Sequence, residues 1–97
     1  MRIISVKALR EFWKIHPDAQ QALRTWHEYV SRASWHTPDD LKRDFVSASF
    51  LSDNRVVFNI RGNHYRLVTV IAYRAGIIYI RFVGTHSEYD RIDARTV

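Results

Sequence analysis

The chain has no cysteine in its 97 residues, which excludes disulfides, iron–sulfur clusters and thiolate zinc sites. Its five histidines (His16, His27, His36, His64, His86) stand singly, with no HExxH pair to suggest a metalloenzyme. No glycine-rich phosphate loop ending in lysine is present, nor a GxSxG nucleophile turn. No run approaches the ~20 apolar residues that would span a bilayer. The opening residues carry charges throughout and do not read as a secretion signal. A soluble protein of the cytoplasm is expected. Acid is missing too, but only locally. Between Asn54 and Thr85 there are five arginines (Arg55, Arg61, Arg66, Arg74, Arg81) and no aspartate or glutamate.

A chain this short makes one domain, residues 1–97, too small to enclose a dinucleotide or flavin comfortably. Hydrophobic residues make up 46%, enough for a modest core, and the net charge of +5 rests on twelve arginines against three lysines. Arginine's planar fork suits bidentate phosphate contacts. The acid-free stretch is also rich in Val, Ile, Tyr and Phe. A small sheet bearing only positive charge suits an anionic partner.

Met1–Ile4 reads as a short strand, with Ser5 as a cap for a helix whose apolar stripe is Val6, Leu9, Phe12 and Trp13. His16-Pro17-Asp18 stops it and starts a second helix, with Asp18 as N-cap and Ala22, Leu23, Trp26 and Val30 on its apolar side. The two form an antiparallel hairpin with Trp13 and Trp26 packed between them. Thr37-Pro38 starts a brief third helix. From Arg55 the period becomes two. A two-residue Gly62-Asn63 turn would set Asn59 opposite Arg66 and Val57 opposite Val68. At the next turn a loop of two or four residues keeps Ile71 with Ile78 and Ile80. The register drawn from that logic pairs Val70 with Arg81, Val68 with Val83 and Arg66 with Thr85. Asn59, Arg61, His64, Arg66, Arg81 and His86 would then share one basic face. Thr85 can cap a last helical turn that sets His86, Tyr89 and Asp90 on one side. The expected fold is α+β, a helical hairpin on one face of a small antiparallel sheet.

The residue types on that face suit one reaction that needs no cofactor. In RNA a 2′-hydroxyl can attack the neighbouring phosphate if a base takes its proton and an acid protonates the leaving 5′-oxygen. Arginines stabilise the charge on phosphorus, and histidine carries protons at neutral pH. The same residues also suit an RNA-binding sheet without catalysis.

The runs VVFNIRGNHYRLVTVIAY and IRFVGTHSEYDRID, preceded by WHTPDDLKRDFVSASFL, resemble the HigB family of type II toxins, relatives of the RelE toxins. The resemblance covers nearly the whole chain. It implies a RelE/ParE-like fold and a metal-independent endonuclease acting on mRNA, usually on the translating ribosome. It also implies a cognate helix-turn-helix (HigA-like) antitoxin, through which alone operator DNA would be bound. Carried onto this chain, the motifs make Arg66 and Arg81 binders of the scissile phosphate, His86 the general acid or base, and Tyr89 its partner. Asn59, Asn63, His64, Arg61 and Lys42 would hold RNA, the last two flanking mRNA or ribosomal RNA. A ParE-like inhibitor of DNA gyrase and a non-catalytic RNA-binding regulator are the alternatives.

Overall fold

In the computed structural model, which describes Met1–Val97, four helices pack with one five-stranded sheet. The strands are β1 (Arg2–Ile4), β2 (Ser49–Phe50), β3 (Arg55–Ile60), β4 (Tyr65–Ala72) and β5 (Ile77–Thr85), in the order β1-β5-β4-β3-β2. The sheet is mixed, not purely antiparallel as expected. β1 runs parallel to β5, with Arg2 beside Ile77 and Ile4 beside Tyr79. A three-residue strand whose partner lies more than seventy positions downstream carries no pattern that reveals its direction.

Helix α1 (Val6–Ile15) buries Leu9 and Phe12, and α2 (Gln20–Arg32) buries Leu23, Trp26 and Val30. These positions recur at three- and four-residue steps, so each helix turns one apolar stripe to the sheet. Trp26 stands edge-on to Phe58 of β3 at 5.3 Å and 71°, while Trp13 is only half-buried at the margin of the core. The tryptophans therefore anchor the helices on the sheet more than on each other. Neither expected cap forms. Ser5 is left-handed (φ 76°) without a capping hydrogen bond. Asp18 lies in a 3-10 turn (Pro17–Ala19), where its carboxylate takes the Tyr65 hydroxyl and, at 3.1 Å, the Arg61 guanidinium. Side-chain donors on the sheet outcompete the helix's own amides for this carboxylate.

The third helix, α3 (Pro38–Asp44), has a full capping box between Thr37 and Asp40. Trp35 donates its indole N–H to Asp44 at 2.9 Å. Phe45 then meets Tyr29, Trp35 and Phe58 edge-on at 5.4, 5.9 and 5.1 Å. Phe58, almost fully buried, is the centre of this aromatic group.

The β3–β4 register is the expected one: Asn59 opposite Arg66 and Val57 opposite Val68. The connection has four residues, Arg61–His64, instead of two, which preserves the parity. Arg61 (φ 51°) and Gly62 (φ 64°) turn the chain in the left-handed region, where glycine costs least. The β4–β5 register departs from expectation. The four-residue connection pairs Ala72 with Ile77 and Thr69 with Ile80, and then Val68 pairs with Phe82. Arg81 is the extra residue of a β-bulge, where strict alternation ends. Beyond it Phe82 and Gly84 move to the face of Val68 and Arg66, while Val83 turns to the main core.

That second face is therefore not an open basic surface. Its centre is a small apolar cluster of Val57, Val68 and Ala94, ringed by Leu51, Phe82, Tyr89, Ile92 and Val97. Helix α4 (His86–Arg91) and the segment after it cover the middle of the sheet. No helix is long and apolar enough to cross a membrane.

Candidate active site

The site forms where β5 runs into α4. A second capping box fixes the helix start: the Thr85 hydroxyl accepts the Glu88 amide at 3.1 Å, and the Glu88 carboxylate accepts the Thr85 amide at 2.8 Å. The Thr85 amide holds the Glu88 carboxyl below its usual range, against a smaller opposing effect of burial. With the start fixed, His86, Tyr89 and Asp90 fall on one side at i, i+3 and i+4. His86 Nδ1 lies 3.1 Å from Asp90 Oδ2, and the His86 amide donates to the His64 carbonyl at 3.1 Å. The β3–β4 turn and the start of α4 are thus tied together.

Arg66 reaches this end from the middle strand. Its guanidinium lies 6.0 Å from the Tyr89 ring centroid, and its Nη1 donates to the Asn63 carbonyl at 3.2 Å. Directly opposite is Gly84. A Cβ there would meet Cζ of Phe82 at 2.5 Å and Cβ of Glu88 at 3.2 Å. Glycine lets the Phe82 ring lie flat against the strand, so α4 can approach. Arg66, Asn63, His64, His86, Tyr89 and Asp90 consequently meet at one end of the sheet, with His86 and Asp90 open to solvent.

Other residues expected on this face are placed elsewhere. Arg61 turns to Asp18 at 3.1 Å, because strand alternation stops at its left-handed backbone. Arg81 does not join Arg66 and His86. It lies three residues along β5 from Gly84, about 10 Å at strand spacing, and its Nε donates to the main-chain oxygen of Val97 at 3.2 Å. Asn59 stays beside Arg66 and, with Ser47, Gly62 and Asn63, lines a shallow cleft at the β3 edge. Lys42 is farther out, donating to the Ala48 carbonyl at 2.8 Å and lying over the Phe50 ring at 5.8 Å.

Two further residues belong to this face. Asp90, the partner of His86, was signalled by its i+4 spacing. Arg55 shares the face of Val57 and Asn59 by alternation, but its bonds to main-chain oxygens of Ala94 and Val97, about forty positions away, follow from no local pattern. No three His, Cys, Asp or Glu side chains gather closely enough to hold a metal ion. What does gather is a guanidinium held by an aromatic ring and a carbonyl, beside an imidazole oriented by a carboxylate. That arrangement can bind a phosphate and exchange a proton next to it.

A family model described as HigB_toxin, RelE-like toxic component of a toxin-antitoxin system, matches residues 19–92. The chain is 32% identical over 92 residues to the mRNA interferase toxin HigB of Escherichia coli (strain K12). It matches to the same extent the mRNA interferase HigB of Escherichia coli O157:H7 and that of Shigella flexneri. These alignments cover 93% of this chain and 88% of each relative. The family match takes in every residue of the site and leaves only β1, α1 and the start of the turn after it outside on the N-terminal side.

Proposed function

The chain belongs to the HigB family of RelE-like toxins, and from that premise we propose that it cleaves mRNA as an endoribonuclease, with an antitoxin as its partner. The observation that carries this reading is Arg66 held against Tyr89 beside the His86–Asp90 pair, within the span shared with the family. Arg66 binds the scissile phosphate and stabilises charge on its oxygens as the pentacoordinate state forms. The 2′-hydroxyl loses its proton to a base, the 2′-oxygen bonds to phosphorus, and the bond to the 5′-oxygen breaks as that oxygen gains a proton. The products are a 2′,3′-cyclic phosphate and a 5′-hydroxyl. His86 is the proton carrier, with Asp90 holding its Nδ1 side so that Nε2 can meet the substrate. Tyr89 orients the guanidinium. Asn63 and His64 border the phosphate, and Asn59 and Lys42 continue the RNA path towards β2. Arg61 instead ties the β3–β4 turn to the 3-10 turn before α2 through Asp18.

The finer reading is cleavage on the translating ribosome in the cytoplasm, with a HigA-like helix-turn-helix antitoxin that carries any operator binding. Inducible expression followed by mapping of mRNA 5′ ends tests it. Cuts phased to codons within open reading frames are expected. Intact mRNA together with damaged DNA would replace this reading with gyrase inhibition.

A further inference from the structure

β2 pairs with β3 only at Val56 and Val57, so no strand covers the β3 edge from Phe58 to Ile60. Beyond that edge lies a cleft of about 370 Å³ between α2, the end of α3 and β3. Its lining includes Trp26, Tyr29, Asp44, Phe45, Asn59 and Arg61. Asn59 also lines the shallow cleft beside Asn63, so the two adjoin. Tyr29, edge-on to Phe45 and 48% exposed, gives the larger cleft an aromatic wall. Two polar features mark it as a ligand site. The Trp26 indole N–H is the only buried side-chain donor without a partner, although such groups are nearly always bonded. Asp44 is the only acid in the lining and takes part in no ion pair, while its Oδ2 accepts the Trp35 indole at 2.9 Å. Arg61 at the rim is already paired with Asp18 at 3.1 Å. An unpaired carboxylate repels a phosphate, so the cleft suits the base of a nucleotide and not its backbone. Bases of single-stranded RNA are read in this way, stacked on aromatic rings and hydrogen-bonded along their pairing edge.

We propose that this cleft holds a guanine of the RNA, from a nucleotide next to the scissile phosphate, and so sets a base preference for cleavage. Asn59 joins the cleft to Arg66, its cross-strand partner, at about 5 Å between Cα atoms. A base flanking a phosphate at Arg66 therefore crosses the uncovered edge into the cleft. Guanine presents two kinds of N–H, at N1 and at its amino group, and a carboxylate such as Asp44 accepts both side by side. Its O6 lies on the same edge and accepts from the Trp26 indole, while Tyr29 stacks on the ring. Adenine and cytosine offer the carboxylate an amino group alone, and uracil a single ring N–H. The inference rests on RNA being the ligand, though not on its cleavage.

The experiment uses the full chain and single-stranded RNAs methylated at every 2′-oxygen, which cannot be cut by 2′-attack. One carries a single guanosine among uridines, a second has inosine in its place, and a third is uridine throughout. Inosine lacks only the amino group. Fluorescence anisotropy should find the guanosine RNA bound about tenfold more tightly than the inosine RNA, the scale of one hydrogen bond to a charged group. Asp44→Asn, which keeps one oxygen for the Trp35 indole, should bring that ratio close to unity. Trp26→Phe should weaken binding of the guanosine RNA and leave the uridine RNA unaffected. The comparison of guanosine with inosine needs no variant, so a Trp26→Phe protein that fails to fold leaves the test intact. Equal affinity for the guanosine and inosine RNAs, or a ratio unchanged in folded Asp44→Asn, overturns the inference, and so does a parent protein that binds none of the three. If the ratio holds but unmethylated mRNA is never cut, the catalytic reading fails and the base site stands. If mRNA is cut and the ratio is absent, the base site fails and the catalytic reading stands.

Discussion

Replacing Gly84 by alanine tests whether the approach of α4 to the sheet builds the site. Gly84 has an ordinary strand φ, so alanine fits the backbone. Through the unfolded chain the change should gain about 0.4–1 kcal/mol. Against that, the new methyl would stand 2.5 Å from Cζ and 2.9 Å from Cε2 of Phe82, and 3.2 Å from Cβ of Glu88. The Phe82 ring is packed in the cluster with Val57 and Val68 and cannot swing freely. Overpacking of this kind costs about 1–3 kcal/mol, which exceeds the entropic gain. A net loss of about 1–2 kcal/mol lowers Tm by roughly 5–15 °C in a chain of this length. The ring or the helix must move, and Glu88 belongs to the turn that carries His86. Misplacement by about 1 Å is enough to lower catalysis by about a hundredfold. Calorimetry and cleavage of mRNA in a translation extract should show both losses at a temperature where the variant is folded. Phe82→Leu removes the ring atoms that clash. In the Gly84→Ala background it should recover Tm, giving a coupling of about 1 kcal/mol in a double-mutant cycle. A Gly84→Ala protein that melts and cleaves like the parent would refute the reasoning.

Phe58→Ala should cost about 3–5 kcal/mol from lost burial and the cavity left behind, plus the edge-on contacts with Trp26 and Phe45. Since a domain of this size is stable by about 5–15 kcal/mol, urea unfolding should find it marginal or unfolded, and a midpoint near the parent's would contradict the aromatic core. Asp18→Asn probes pH dependence. The Tyr65 hydroxyl first, and Arg61 after it, hold the Asp18 carboxyl below its usual value. That pairing stabilises the fold above about pH 4 and is lost as pH falls through the lowered value. The Tyr65 hydroxyl is raised by the same bond, a contribution present below about pH 10 and lost above it. The Asp18→Asn protein should be less sensitive at both ends in melts from about pH 3 to 11, a range that brackets both groups, and parallel curves would exclude the pairing. Arg66→Ala should reduce cleavage by about a hundredfold or more, the scale of a lost charge-stabilising donor, with Tm little changed because its contacts are two carbonyls and the half-buried Tyr89 ring, with no ion pair. Equal growth arrest on induction would rule out its phosphate role.

The parts of the fold legible in the sequence were those fixed by neighbours in the chain. Both capping boxes, at Thr37 and Thr85, follow from local spacing, and so do the apolar stripes of α1 and α2. The β3–β4 register follows from a short turn and strict alternation. What alternation missed was the bulge at Arg81, because one inserted residue reverses every side chain beyond it and leaves no mark in composition. That single residue turned Phe82 towards α4, while Arg81 stays away from Arg66 through its distance along β5. Arg61 was misplaced for a related reason: its left-handed backbone ends the pattern that had assigned its face. The direction of β1, the Asp18–Tyr65 bond and the Arg55 contacts all join residues far apart in sequence, where periodicity is silent. The grouping of Arg66 with His86 survived because both lie within a few residues of a fixed turn or cap.

The most direct measurement of the central claim is cleavage of mRNA by purified His86→Ala protein, alongside its binding to the antitoxin. Loss of cleavage with antitoxin binding and Tm retained is the expected result. Cleavage at the parent's rate would show that the proton is carried elsewhere, and that the end of the sheet formed by Arg66, Tyr89 and the His86–Asp90 pair is not where RNA is cut.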